Sequence, residues 1–265
     1  MTTRAPAVIA SQSLPFAAIH DITVVTKRNL RRIARSPGLM LASSVQPIVF
    51  VLLFRYAFAG AVQTPAGISY VDYFLPGMLL FATWFGTTTA VALSMDLASG
   101  MIDRFRSLPI ARSAVLAGRT VADLARHLCV VFLVLAVGAM TGFRFHGSAL
   151  AVAAGIVVVL AFAFALSWVF AFIALYVKDP ETAQISALLP LFPLMFLSGA
   201  FVPVQTMPGW LQPFARNQPV SVAISAVRAL FEGGPVAHSL WQSIAWLTAV
   251  LLICVPLAIA RYRRV

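Results

Sequence analysis

Four ionisable residues stand close together at one end of an apolar run: Arg119, Asp123, Arg126 and His127. Asp123 follows Arg119 by four positions and precedes Arg126 by three and His127 by four. On a helix these spacings place the groups on one face, where they can pair. Two chemistries fit the set. One is a locally neutralised helix end near lipid headgroups; the other is a proton relay. Arg55 lies about one turn from the end of another apolar run. It fits a cation snorkelling along its aliphatic stem, or a contact to an anionic substrate. The remaining acids are Asp21, Asp72, Asp96, Asp103, Asp179, Glu181 and Glu232. No acid falls near the middle of an apolar run, which argues against a proton-coupled carrier but not against a passive pore.

Other chemistry is absent from the sequence. There is no HExxH, no GxSxG and no paired Cys/His cluster, so catalytic and metal-ligating residues are both expected to be none. Cys129 and Cys254 lie inside apolar runs with no ligand spacing and read as small buried hydrophobes. The two lysines, Lys27 and Lys178, do not follow a glycine, so there is no P-loop. No cofactor is expected in this chain, and any ATP energy must come from a partner.

The stretch Asp103 to Arg112, "DRFRSLPIAR", interleaves Phe105, Leu108 and Ile110 with three arginines. It reads as a short amphipathic helix stopped near Pro109. Such a segment fits a groove on another protein, its apolar side chains forming the docking face and its arginines the rim.

The elements that position these groups follow from composition. The chain has 265 residues, 61% of them hydrophobic and 10% charged, and its mean hydropathy is +0.93. Apolar runs of about 20 residues indicate membrane-spanning helices, since backbone polar groups in lipid need internal partners. The alternating segments of an outer-membrane barrel do not occur. An all-α integral membrane fold is expected. Six spans are predicted, over about Leu39–Ala59, Phe74–Met95, Val121–Thr141, Leu150–Val177, Ile185–Val202 and Leu240–Ala260. Before them, Pro15 to Arg35 places Phe16, Ile19, Ile22, Thr26, Leu30 and Ile33 at helical spacing among basic residues, which predicts an amphipathic helix at the membrane interface. Between spans five and six, Val220 to Phe231 is apolar but too short to cross. It predicts a re-entrant or interfacial pair of short helices on the outer side.

Lys and Arg set the orientation. Fourteen fall in the N-terminal segment, the connection after span two, the turn after span four and the tail; Arg144, Arg216 and Arg228 fall opposite. This places both termini and "DRFRSLPIAR" in the cytoplasm. The net charge of +11 is then explained by topology and anionic lipid rather than nucleic acid. Pro190 and Pro193 kink predicted span five beside Phe192, Phe196 and Phe201. That arrangement suits a path for hydrophobic cargo, or ordinary membrane packing.

Several stretches together resemble one family. "YVDYFLPGMLLF", "GMIDRFRSLPIARSAVLAGRTVADL", "YVKDPETA" and "MPGWLQPFARNQPVSVAISAVRALFEGG" occur in the order and spacing of the permease subunit of type-2 ABC exporters, on the branch similar to daunorubicin/doxorubicin resistance permeases. One departure is Asn217-Gln218-Pro219, where the family commonly has Asn-Pro directly. The resemblance implies one transmembrane permease domain over 1–265: a cytoplasmic or interfacial segment 1–37, a bundle 38–260 and a cytoplasmic tail 261–265. It implies an ABC ATPase partner in two copies, which binds the ATP and Mg, and a second permease copy in a homodimer in the bacterial plasma membrane. Gly100, Arg104, Phe105, Arg106, Leu108, Pro109, Ile110 and Arg112 would form the ATPase-coupling element. The chain itself would not be an enzyme. It would export a drug, lipid or lipid-linked glycan. The alternative is a secondary carrier or channel without an ATPase.

Overall fold

The computed structural model describes residues 26, 37–62, 64, 68–84, 91, 93–95, 112–177 and 179–262. The regular structure among them is helical. The elements are α1 (Pro37–Leu53), a π-helical turn (Phe54–Phe58), α2 (Tyr70–Trp84), α3 (Arg112–Met140), α4 (Ala149–Ala174), α5 (Pro180–Leu188), α6 (Leu191–Phe196), a 3-10 turn (Val204–Thr206), α7 (Gln212–Asn217), α8 (Pro219–Glu232) and α9 (Ala237–Tyr262).

Among the described residues, three helices are long and apolar enough to cross a membrane: Thr120–Met140 within α3, Ala149–Ala174 and Ala237–Tyr262. At 1.5 Å per residue a 26-residue helix reaches about 39 Å, more than the roughly 30 Å hydrocarbon core. They stand where the sequence predicts spans three, four and six. The prediction of six spans is corrected at the others. Predicted span one is α1 followed by the π-helical turn, and its apolar helical part, Ser44–Phe58, is below spanning length. The described helix of predicted span two, α2, has 15 residues and reaches about 22 Å. Predicted span five is divided into α5, of nine residues, and α6, of six. The reason lies in Pro190 and Pro193. Each lacks an N–H, so two hydrogen bonds of the helical ladder are missing close together and the helix is interrupted at Leu189 and Pro190, although both residues keep helical dihedrals.

The re-entrant reading of Val220 to Phe231 is also corrected. This segment is α8, a helix packed against α2, α4 and α9. Val220, Val222, Ala223, Ile224, Val227, Leu230 and Phe231 are buried by protein. Its apolar content is thus accounted for by packing within the bundle. The predicted interfacial helix over 15–35 lies outside the described residues, except Thr26. That residue is helical, and its hydroxyl donates to the Gly118 carbonyl at 3.2 Å.

All fifteen residues of α2 are buried, with Phe74, Phe81 and Trp84 among the largest enclosed side chains. It packs against α1, α3, α4 and α8. Helix ends follow their local sequence. Asp179 caps α5 by accepting from the backbone N–H and the hydroxyl of Thr182, each at 2.7 Å, with Pro180 at the first position. Those hydrogen bonds hold its carboxyl below the usual range. Gln218, the residue that departs from Asn-Pro, caps α8: its side-chain Oε1 accepts from Val220 N–H at 3.3 Å. Its amide also donates to Leu194 O and to Ser221 Oγ, which ties the start of α8 to α6. α8 ends at Gly233, whose φ of +77° is the left-handed closure that glycine favours. At that end the N–H groups of His146 and Gly147 donate to Phe231 O at 2.9 and 2.7 Å. A Cβ on Gly147 would overlap the Leu230 carbonyl oxygen, so only glycine fits this approach.

Candidate functional site

The start of α2, the turn after α6 and the middle of α8 meet at one cation. Arg228 lies on α8 among apolar residues. Its Nε and Nη2 donate to Tyr73 O at 3.0 and 2.9 Å, and Nη2 also donates to Gly199 O at 2.8 Å. Its guanidinium carbon stands 3.8 Å from the centre of the Tyr73 ring. The Tyr73 hydroxyl donates to the same Gly199 carbonyl at 3.1 Å. One planar fork therefore joins three segments far apart in sequence, a geometry that arginine supports and lysine does not. In the sequence Arg228 is legible only as one of the few outer-side charges.

A second cluster lies beside it. Ser69 Oγ accepts from Asp72 N–H at 3.2 Å and donates to Asp72 Oδ2, which orders the first turn of α2. Asp72 Oδ1 accepts from Arg144 N–H at 3.0 Å. His146 Nδ1 lies 3.2 Å from Glu232 Oε2. One ligand-type atom from each of Asp72, His146 and Glu232 falls within 4.8 Å of the others. The cluster fastens the 143–148 connection to α2 and to the end of α8. Sequence reading does not bring these three together, because separations of 74 and more residues carry no local signal.

Burial, then the charge of Asp72, raise the Glu232 carboxyl above its ordinary value near 4.5, while His146 and Arg228 oppose that rise. A raised value means the folded protein holds this proton more tightly than the unfolded chain. The associated stability is complete below about pH 4.5 and is lost as pH rises through the raised value. Glu232→Gln imitates the protonated carboxyl at every pH. Thermal unfolding should therefore show a small difference between variant and wild type at pH 4.5 that grows in the variant's favour by pH 7.5. A difference independent of pH would contradict this assignment.

The three phenylalanines singled out in the sequence do meet. Phe192 and Phe196 stack with ring centres 5.6 Å apart, and Phe196 lies 5.6 Å from Phe201. Phe201 stacks on Phe54 at 4.4 Å, and Trp84 lies 6.3 Å from Phe192. Phe201 is buried, whereas Phe192 and Phe196 are about half exposed. The result is a continuous aromatic track from the surface of α6 to the interior near α1 and α2. Phe54, in the π-helical turn, and Trp84, at the end of α2, are its unpredicted members.

The polar set on α3 is enclosed: Asp123, Arg126 and His127 are all buried. Asp123 Oδ1 pairs with Arg126 Nη2 at 3.3 Å, which neutralises both charges locally. Arg55 Nε donates to Thr141 O at 3.0 Å, joining the π-helical turn to the end of α3. Arg112 is the first residue of α3. Gly100, Arg104, Phe105, Arg106, Leu108, Pro109 and Ile110 lie outside the described residues.

Comparison with known proteins accounts for this architecture. The model of the ABC-2 type transporter family matches residues 20–231. A daunorubicin resistance ABC transporter permease protein of Streptomyces coeruleorubidus is 32% identical over 220 residues, covering 83% of this chain and 77% of that protein. A probable doxorubicin resistance ABC transporter permease protein of Mycobacterium tuberculosis is 30% identical over 264 residues, covering 99% of this chain and 94% of its own length. A putative transport permease of Cyanophora paradoxa is 24% identical over 240 residues, covering 88% and 79%. The missing P-loop and the apolar helices agree with that family: the ATP chemistry belongs to a separate ATPase, and this chain is non-catalytic. The chain belongs to the ABC-2 type transporter family, as a multi-pass bacterial membrane permease of an export system that works with that ATPase.

Proposed function

We propose that this permease moves a hydrophobic or amphipathic substrate out of the cytoplasm, of the class that includes drugs, lipids and lipid-linked glycans. The aromatic track of Phe192, Phe196, Phe201 and Phe54 carries this reading, because it joins an exposed apolar surface to the interior through rings in contact. Flat apolar rings bind such cargo without demanding polar partners from it. The relatives named for daunorubicin and doxorubicin resistance support the same substrate class.

The whole chain acts as one permease domain. Two copies pair with two ATPase subunits, and the element containing Gly100, Arg104, Phe105, Arg106, Leu108, Pro109, Ile110 and Arg112 receives their movement. ATP binding closes the ATPases, and the permease halves then shift between inward- and outward-open states. The N-terminal basic segment, residues 100–119 and the basic tail all face the cytoplasm, so both termini lie there. The excess of arginine in these segments supports that orientation. The substrate path is tested with Phe192→Ala and Phe196→Ala combined, in vesicles containing permease and ATPase and loaded with a fluorescent anthracycline. Efflux should fall about tenfold, the loss of roughly 1.4 kcal/mol of differential binding, while ATPase association is retained. Undiminished efflux would remove these rings from the path.

A further inference from the structure

Beside Arg228 is an open cavity of about 580 Å³, bounded by the turn after α6 and by α7, α8 and the first turns of α9. Its lining includes Arg216, Arg228 and His238, with Asn217, Ser225 and Gln242 among the neutral polar groups. No acid lines it. Glu232, one turn beyond Arg228, is directed to His146 instead. Arg216 has a neutral partner, Gln212 Oε1 at 3.0 Å. Arg228 commits Nε and Nη2 to two carbonyls, and its Nη1 donors have no hydrogen-bond partner among the described residues. A guanidinium fork held in place with donors to spare matches the oxygens of a phosphate. Ile68, Val204 and Val222 add an apolar wall to the same cavity.

We propose that this cavity is a binding site for a phosphate-type anion, held by Arg228, Arg216 and His238. The anion is either free phosphate or the headgroup of an amphipathic molecule whose apolar part lies on the Ile68, Val204 and Val222 wall. The site needs neither the aromatic track nor an assignment of membrane side.

The full chain, purified in neutral maltoside micelles, is titrated calorimetrically with inorganic phosphate, with dihexanoyl phosphatidic acid and with dihexanoylglycerol, which lacks the phosphate. Saturable binding of at least one phosphate-bearing probe is expected, weakening as salt is added. Binding of both probes identifies phosphate as sufficient, and binding of phosphatidic acid alone shows that the apolar wall is required. Arg216→Gln with His238→Gln should weaken binding at least tenfold, and Arg216→Gln alone, an exposed change, at least threefold. Circular dichroism and elution volume verify that the variants remain folded. The proposal is overturned if neither phosphate-bearing probe binds, if dihexanoylglycerol binds as tightly as phosphatidic acid, or if folded Arg216→Gln binds as tightly as wild type.

Discussion

Replacing Leu108 with aspartate is expected to abolish export while leaving the chain in the membrane at its normal level. Leu108 is the central apolar residue of the proposed coupling element, between Phe105 and Ile110. Seating a leucine in a partner groove is worth about 1.5–3 kcal/mol. An aspartate there loses that contribution and adds the cost of desolvating a carboxylate. A combined loss above roughly 3 kcal/mol lowers occupancy of the docked state more than a hundredfold. Leu108→Met conserves volume and apolarity and should retain most activity. Export by vesicles, permease content of the membrane fraction and ATPase retained on the permease are measured together. Normal export by Leu108→Asp would take the coupling role away from this element.

The second large effect is expected at Arg228. Arg228→Met keeps an unbranched apolar stem but removes the guanidinium, which leaves Tyr73 O and Gly199 O without their cationic donors. Hydrogen bonds to a charged group contribute about 1.5–3 kcal/mol each, and a cation over an aromatic face about 0.5–2 kcal/mol. Gly199 O keeps the Tyr73 hydroxyl, so the net loss is smaller than the sum, about 2–4 kcal/mol. The unfolding temperature should fall by roughly 5–15 °C in a chain of this size. Arg228→Lys preserves the charge but not the fork, and should fall between the two. Thermal unfolding of the three proteins in one detergent gives the order. Equal temperatures for Arg228→Met and wild type would mean that the fork does not hold α2, α8 and the turn after α6 together.

The long helices are legible because hydropathy sums over 18 or more residues: α4 is apolar along nearly its whole length, and α9 is apolar beyond its polar first turns. The same summation misled at span five. Averaging sees Leu, Phe and Met around Pro190 and Pro193, but not two missing N–H donors in four residues. At α8 the apolar content is legible and its cause is not: the surroundings that bury Val220, Ile224, Val227 and Phe231 are other helices. The ring-to-ring track was visible in part, since Phe192 and Phe196 lie four apart and must share a helix face. Phe54 joins it from about 140 positions away, beyond any periodicity. Arg228, Asp72, His146 and Glu232 were harder still. Their meaning lies in carbonyl directions and loop approach, such as the fit of Gly147 against Leu230, and a linear pattern encodes neither.

The dependence of this permease on an ATPase is tested most directly by reconstituting the two together. The partner ABC ATPase is purified with and without the full permease and placed in the same lipid vesicles. The permease is expected to retain the ATPase through detergent extraction, to change its rate of ATP hydrolysis, and to lose both effects in Leu108→Asp. An ATPase that neither co-purifies with the permease nor alters its hydrolysis in its presence would contradict the account.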